Sequence, residues 1–386
     1  MLYPQQIYDL YFGGNRITGQ SQYLWRHPEE DGQAYGRRLA RSAYVNFQKK
    51  IINTVKGYVF YSEPQVDSVL PLKKNAEDLT THSLVGGIAY LLTLPEGIEV
   101  YPRTCVEAKE VKKADGSTVC DYEISGREGK ITVMYSIGKV RHDIRGKNPV
   151  FTQLFEDQFL AVPWDISCES FIQDTAQLNL EIHNKRSWKS NTQMQVLVTI
   201  PYGPPIDTAE PGDGVYVNVG SEDQAPGFAQ PSIAQTQFLG EDIDKDILTM
   251  GKMVGLESEF SDITKVQAGI STAYEMIDTI AMIGQIASAI NVAINKASKC
   301  YTTMTGLNGG TIALAPLTNP IVRQGKISEF RALLKDVPTD KVTKYAQTKI
   351  VSIVAQDESP AVRKELIADV EENGGLKTQA SPDLQF

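Results

Sequence analysis

The chain has 386 residues, a length that suits two or three domains and a sizeable hydrophobic core. Its composition is 41% hydrophobic and 22% charged, which is ordinary globular usage and excludes wholesale disorder. The formal net charge of -9 argues against a protein that coats DNA regardless of sequence, because such proteins neutralise phosphates with a basic surface. An acidic protein can still surround DNA.

A helix is predicted to begin at Pro28, with His27 as its cap. Glu29, Glu30 and Asp31 load its first turn with negative charge, which the positive end of the helix dipole favours. Apolar residues then recur every four positions, slightly more than the helical period, so the stripe winds around the helix and meets more than one neighbour. The stripe consists of Tyr35, Leu39, Ala43, Phe47, Ile51 and Val55.

The opposite face of this predicted helix is basic. Its cations could contact DNA, contact a second copy of the chain or face water, and we expect a solvated or subunit-contacting face. The cations are Arg37, Arg38, Arg41, Lys49, Lys50 and Lys56.

A second predicted helix covers residues 75–92, after which the pattern changes to a period of two. The runs 104–113, 118–124 and 131–137 are separated by turn residues and fit a small antiparallel meander with one covered face. This part of the chain is therefore predicted to be α+β.

The middle of the chain predicts a long polar-rich helix after Glu169, then two short β runs around a loop rich in proline, glycine and acid. A second helix is predicted over 242–255, and a short polar stretch follows over 256–269. The acidic run Glu241, Asp242, Asp244 and Asp246 is interpreted as the N-terminus of that helix.

The longest predicted helix covers about residues 271–303 and carries an apolar seam. Its segment 279–295 is uncharged but short for a membrane span, which needs roughly 20 mainly apolar residues. Gln285, Asn291 and Asn295 interrupt the segment, so we predict a buried helix. Two or three amphipathic helices with breaks at Pro338 and Pro360 should follow over 326–372. The seam consists of Ile280, Ile283, Ala287, Ile290 and Ile294.

The sequence contains only weak motifs for nucleotide binding, metal binding or catalysis. The stretch 14–21 approaches a phosphate-binding loop, but Gln20 stands where a lysine is needed. His27, His82, His142 and His183 lack the spacing of metal ligands, and no GxSxG or HExxH motif occurs. We expect no enzymatic activity, no cofactor and no metal. The four cysteines form no CxxC pair and the N-terminus lacks the pattern of a signal peptide, so we expect reduced thiols in a cytoplasm.

A family resemblance appears in the first sixty residues. The tyrosine-leucine start, "RHPEE", the polar and aromatic residues after it and "VKGYVF" resemble the N-terminal wing of portal proteins of tailed bacteriophages. The stretch "GISTAYEMIDTIAMIGQIASAI" and the order of the later segments are also similar to a portal. The chain departs from the family by being short, with a trimmed wing and little room for an extended crown barrel. The matching residues after "RHPEE" are Tyr35, Arg38, Ala40, Tyr44 and Asn46.

The resemblance implies an α+β, mainly helical fold with a small antiparallel wing sheet, stem helices, a β clip, a long wing helix and a short helical crown. It divides the chain into an N-terminal wing (1–165), first stem helix (166–194), clip (195–240), second stem helix (241–255), tunnel loop (256–269), long wing helix with return strand (270–325), and crown with tail (326–386).

The function implied is structural. Portals form rings, typically dodecameric, at one vertex of the capsid, and double-stranded DNA passes through the channel during packaging and ejection. The implied partners are further copies of the chain, the major capsid protein, the terminase large subunit and tail adaptor or connector proteins, with no membrane. The implied location is the virion, after assembly in the host cytoplasm.

The resemblance also assigns residues to two sites. The tunnel loop, bordering the channel, would contain Glu257, Glu259, Phe260, Asp262 and Lys265. The clip, docking terminase and adaptors, would contain Tyr202, Pro204, Pro205, Asp207, Glu210, Asp213 and Tyr216.

Two other classes stay open. One is a different structural protein of the virion, such as an adaptor or scaffold. The other is a membrane-active protein that uses the long helix over 271–303.

Overall fold

A computed structural model describes residues 2–28, 30–113, 116–125, 129–144, 148–197, 200–203, 217–218, 227–229, 234–256, 260, 277–317, 340–354 and 360–373. Helices and strands are mixed, in agreement with the α+β class expected. The chain divides into two compact units. Unit 1 contains Met1–Lys50 and Ile172–Ser261, and unit 2 contains Ile51–Phe171 and Asp262–Phe386.

The described helices, in chain order, are α1 (Pro4–Phe12), α2 (Gly32–Arg41), α3 (Phe47–Val59), α4 (Leu72–Gly86), α5 (Gln173–Leu197), α6 (Ala234–Met253), α7 (Ile277–Thr305), α8 (Asp340–Val354) and α9 (Pro360–Asn373). The described strands are β1 (Ser62–Asp67), β2 (Ile88–Leu94), β3 (Gly97–Pro102), β4 (Val106–Lys112), β5 (Thr118–Ser125), β6 (Gly129–Met134), β7 (Lys139–Ile144), β8 (Val150–Gln153), β9 (Phe159–Pro163), β10 (Ile200–Gly203), β11 (Val217–Asn218), β12 (Gly227–Ala229) and β13 (Thr311–Ala315).

The described residues of unit 2 form three sheets. The three strands of the predicted meander are present as β4, β5 and β6, and the sequence did not predict β7 and β8, which complete a five-stranded antiparallel sheet in the order β4-β5-β6-β7-β8. A three-stranded sheet has the order β3-β2-β9, and β1 pairs with β13. A shared core lies where the first two sheets meet, and it buries Leu92, Ile124, Val133, Val140 and Phe159.

The predicted N-terminal helix is wrong in its start and its continuity, because α2 and α3 are separate. The side chain of Asp31 accepts a hydrogen bond from the backbone N–H of Ala34 (2.7 Å), so Asp31 caps α2 in place of His27. The hydroxyl of Ser42 bonds to the carbonyl of Leu39, and Asn46 accepts from the N–H of Lys49 (2.8 Å). These short polar side chains compete for backbone groups and end one helix before the next begins.

The predicted helix over 75–92 is also too long, because α4 ends at Gly86 and β2 begins at Ile88. Gly87 adopts a φ of +80°, and a Cβ there would collide with the carbonyl oxygen of Cys168. The backbone therefore turns at a position that only glycine fits. The apolar residues that follow form the central strand of a sheet, which is buried on both faces.

The second helix of the predicted stem begins earlier than expected, at Ala234. The acidic run Glu241–Asp246 therefore lies inside α6 and not at its N-terminus, so the helix dipole does not explain it. Residues 234–240, which the resemblance assigned to the clip, belong to α6.

Helix α7 contains the predicted apolar seam. Ile283, Ala287, Ile290 and Ile294 are buried. By length and composition alone, Thr279–Thr305 could cross a membrane. Near the C-terminus, α8 and α9 are present, and Pro360 is the first residue of α9, a position that tolerates proline.

Candidate functional site

Helices α5 and α6 of unit 1, which correspond to the predicted stem, form an antiparallel pair. Near the end of α5, Lys189 lies against Gly240, close to the start of α6. Further back along α5, Ile182 packs with Ile243 and Met250, which lie later in α6. The opposite order of these contacts gives the antiparallel arrangement.

An ion-pair site links the two helices. The Nζ atom of Lys185 in α5 lies 2.6 Å from Asp242 Oδ2 and 2.7 Å from Asp246 Oδ2 of α6. Burial disfavours the charged lysine, but the hydrogen bonds and charges of the two carboxylates outweigh it, so the pKa of Lys185 is raised. The spacing of four residues places both acids on one face of α6. Two members of the acidic run, Asp242 and Asp246, thus link α6 to α5.

A second site is the polar face of α5, the helix that the sequence predicted to be long and polar-rich. A stripe of polar side chains on this face is buried against the N-terminal segment of unit 1. The spacing of four residues along one face could have revealed the stripe, but its burial depends on what covers it. The stripe consists of Thr175, Asn179, His183, Asn184 and Ser187.

The first part of the stripe bonds to side chains that precede α3 or lie at its start. The amide of Gln48 donates to the carbonyl of Thr175 (2.8 Å), whose hydroxyl donates back to the Gln48 amide oxygen (3.0 Å). Asn179 Nδ2 donates to the Tyr44 hydroxyl (2.5 Å), which in turn donates to the carbonyl of Leu10 (2.8 Å). A buried polar network of this kind specifies one docking position for the segment.

The second part of the stripe bonds to the backbone. His183 Nδ1 lies 3.3 Å from the carbonyl oxygen of Ala43, so Nδ1 carries the proton. Asn184 accepts from the N–H of Trp25 (2.7 Å) and donates to the carbonyl of Tyr23 (3.1 Å). Burial lowers the pKa of His183, opposed by its bond to Ala43.

Arg38 lies at the Ser187 end of the stripe. It was predicted to belong to the basic face, but it is only 3% exposed. Its guanidinium donates to both carboxylate oxygens of Glu30 (2.9 and 2.7 Å) and to the carbonyl of Trp25 (2.6 Å). It also lies over the ring of Trp188, 5.8 Å from the centroid. The hydrogen bond from Arg38 is the main reason that the pKa of Glu30 is lowered.

The remaining cations of the predicted basic face divide between several environments. Arg37, Arg41, Lys49 and Lys50 are exposed, as expected for a solvated face. Lys50 Nζ lies 4.3 Å from the centroid of the Phe260 ring. Lys56, in unit 2, lies 3.5 Å from Glu77.

Of the predicted tunnel-loop residues, the structure describes Phe260. Phe260 is 9% exposed, and its ring lies 6.2 Å from that of Phe47. A Cβ at Gly251 would lie 2.9 Å from the Cβ of Phe260, so the ring occupies space that this glycine leaves open. Phe260 therefore anchors this part of the chain to unit 1. Glu257, Glu259, Asp262 and Lys265 lie outside the described residues.

Of the predicted clip residues, Tyr202 lies in β10, where its backbone pairs with Val217 of β11 and Gly227 of β12. The order β11-β10-β12 places β10 in the centre of a three-stranded sheet between α5 and α6 in the chain. The β excursion predicted between two helices is therefore present. Pro204, Pro205, Asp207, Glu210, Asp213 and Tyr216 lie outside the described residues.

Elements that could support catalysis are sparse in the described part of the chain. The glycine-rich stretch near Gly14 follows helix α1, and Gly14–Arg16 form a turn of 3-10 helix. A phosphate-binding loop would instead follow a buried strand. In the described residues, no group of three histidine, cysteine or acidic side chains could hold a metal ion.

The comparisons with known proteins find similarity among solved structures. No family model matches the sequence, and no curated protein matches it. A chain in a solved structure described as "Neck of empty GTA particle computed with C6 symmetry" is 10% identical, with a TM-score of 0.40, covering 82% of this chain and 94% of that chain. At this TM-score and identity, the likeness establishes neither the fold nor the activity of this protein.

Proposed function

We propose that this protein is a structural component of a tailed-phage-type virion, and specifically its portal. The observation that carries the proposal is the order of elements from α5 to α7. An antiparallel helix pair is interrupted by a small β sheet and is followed in the chain by a long apolar helix. This is the order of stem, clip, stem and wing helix that the sequence resemblance implied.

The hydrogen bonds and ion pairs of the helix pair suit a rigid structural role. Lys185 is held between two carboxylates of α6, and the polar face of α5 is bonded to the N-terminal segment. A helix held by directional bonds on two sides resists rotation about its axis better than one held by apolar packing alone. Rigid walls are what a conduit for a stiff polymer requires.

On this proposal, copies of the chain assemble into a closed ring at one capsid vertex, through which double-stranded DNA enters and leaves. The sheet of β10, β11 and β12 docks the terminase large subunit during packaging and tail adaptors afterwards. The major capsid protein surrounds the ring. The net charge of -9 supports this proposal, because an acidic channel would attract the DNA phosphates only weakly.

The deciding experiment is a mass measurement and electron-microscopy class averages of the purified protein. We expect closed rings with a central hole wide enough for duplex DNA. A folded monomer at all concentrations, also with capsid protein present, would contradict the proposal.

We also propose that the protein has no catalytic activity of its own, with the energy for packaging supplied by a separate ATPase. The purified protein should neither bind nor hydrolyse ATP, and Gln20→Ala should change nothing in nucleotide binding. Saturable ATPase activity that follows the protein through purification would overturn this part.

One observation favours a second candidate, a membrane-active protein, because Thr279–Thr305 has the length and composition of a membrane span. Flotation of the protein with lipid vesicles tests it. We expect no binding, because Asn291 and Asn295 of α7 are bonded to β13.

A further inference from the structure

The five-stranded sheet of unit 2 has two outer strands, β4 and β8, and the described residues place no further strand beside either. Four inter-strand intervals of about 4.8 Å separate these strands, so they lie about 19 Å apart along the sheet. An outer strand presents unpaired N–H and C=O groups that another strand can join. Both edges of one sheet are therefore open to pairing.

Strand β8 lacks the devices that usually protect an edge. All four of its residues are exposed, and none is charged or proline. Val150 and Phe151 are each 52% exposed. Only the shortness of the strand limits pairing.

The bonding pattern shows which groups of β8 face outward. The N–H of Leu154 donates to the carbonyl of Gly138 (3.0 Å), so Leu154 points its backbone toward the β7 side. Because this direction alternates along an antiparallel strand, Thr152 and Val150 point the same way. The N–H and C=O groups of Phe151 and Gln153 consequently point away from the sheet.

The faces of β4 and β8 match. Thr152 pairs with buried Val140, so Val150 and Thr152 share the core face of the sheet. Val106 of β4 pairs with buried Ile124 and lies on that same face. Placing β8 beside another copy's β4 would thus continue the core face of the sheet across the junction.

The opposite face also matches. Phe151 lies there beside Arg141, whose guanidinium is 5.9 Å from the ring centroid. On β4, Glu107 and Val111 belong to this face. A register that places Val111 beside Phe151 forms an apolar pair across the junction, which is a favourable cross-strand contact.

We propose that β8 of one copy pairs with β4 of the next copy, so that the sheet continues from subunit to subunit. This inference rests on the proposed function, because a contact between two different edges is heterologous, and a heterologous contact generates the closed ring of that proposal only when the rotation between copies closes. Mixed charge along β4, from Glu107 to Lys112, discourages two β4 strands from pairing with each other. This one type of contact pairs the free backbone groups of both outer strands, β4 and β8, in every copy.

Disulfide trapping tests the pairing. In a background with the four natural cysteines replaced by serine, Gln153→Cys is combined in turn with Glu107→Cys, Lys109→Cys or Val111→Cys. These positions lie on one face, so the three pairs sample three registers. We expect oxidation of one pair to give a ladder of covalent oligomers beyond the dimer, and Gln153→Cys alone to give monomers.

The outcomes separate the two proposals. Rings that form without a ladder in any of the three pairs, or dimers from Gln153→Cys alone, overturn the β8–β4 pairing and leave the proposed function intact. Absence of rings in the unmodified protein overturns the proposed function and the pairing together.

A backbone test avoids cysteines. Gln153→Pro removes an outward N–H without touching a bond to β7, and should raise the concentration for half-assembly about tenfold. Gln153→Ala keeps the N–H and should assemble normally, and both variants should melt like the unmodified protein below the assembly concentration. Normal assembly of Gln153→Pro would contradict the pairing.

Discussion

At the scale of single residues, the N-terminal segment is held by buried polar groups, and one of them, Arg38, belongs to the basic face that was predicted to be solvated or subunit-contacting. Arg38 is buried and paired with Glu30, whereas its neighbour Arg37 is exposed. A buried charge without its partner is costly, because neither water nor protein then solvates it. Two adjacent arginines therefore differ completely in their effect on stability.

We predict that Arg38→Ala lowers the free energy of unfolding by about 3 kcal/mol, because the Glu30 carboxylate and the Trp25 carbonyl lose their donor. Arg37→Ala is the matched control and should change it by no more than about 0.5 kcal/mol. Urea denaturation followed by circular dichroism measures both. Equal effects of the two substitutions would show that Arg38 is not a buried partner of Glu30 in solution.

His183 gives a pH dependence. Its pKa is lowered in the folded protein by burial and by the charge of Arg38, with its bond to Ala43 opposing. A lowered histidine pKa means that its contribution to stability is complete above the unfolded value, about 6.5, and is lost as the pH falls through the folded value. We predict that stability falls less between pH 7.5 and about 5.5 in His183→Gln than in the unmodified protein. Identical pH profiles in denaturant titrations would refute this role.

At the scale of elements, the apolar helix α7 carries polar residues because they form hydrogen bonds to the backbone of β13. Asn295 accepts from the N–H of Ile312 and donates to its carbonyl (both 2.9 Å), and Asn291 accepts from the N–H of Leu314 (2.9 Å). These bonds satisfy the edge of β13 that faces away from β1. The asparagines that interrupt the apolar run therefore bond to backbone groups of β13 that a neighbouring strand would otherwise bond.

We predict that Asn295→Leu lowers the free energy of unfolding by about 2 kcal/mol, because two backbone groups of β13 lose their partners. Val292→Leu, at an exposed position of the same helix, is the control and should be nearly neutral. Thermal melting compares them. If Asn295→Leu instead caused vesicle binding without loss of stability, the membrane-active alternative would gain support.

At the scale of the whole molecule, the segment between α6 and α7 combines an anchor with residues that the resemblance assigns to the channel. Phe260 packs on Phe47, so shortening the segment across it would remove core contacts together with the residues assigned to the channel. A test of the channel must therefore keep Phe260. Phe260→Ala alone should cost about 3 kcal/mol through the cavity it leaves.

We predict that deleting residues 261–264 leaves ring formation intact, because the deletion spares the contact of Phe260 with Phe47, and reduces the DNA packaged per particle. Lys265→Glu should reduce packaging less than the deletion, since a mainly acidic segment makes only weak contacts with phosphates. Packaged genome per particle in a complemented phage is the measurement. Full packaging with the deletion would refute the channel assignment and leave the ring proposal standing.

Local patterns in the sequence were sufficient for the meander, the seam of α7 and the helix-strand-helix order, because periodicity reports directly on which side of an element is covered. The Ser42–Asn46 break, the start of α6 and the roles of Arg38, Asp242, Asn291 and Phe260 needed the tertiary structure. A polar side chain has the same identity whether water or a buried backbone group bonds to it, and only the neighbours brought together by folding decide which. That is why the sequence identified α5 only as a polar-rich helix, whereas the fold shows that its polar face is a buried network.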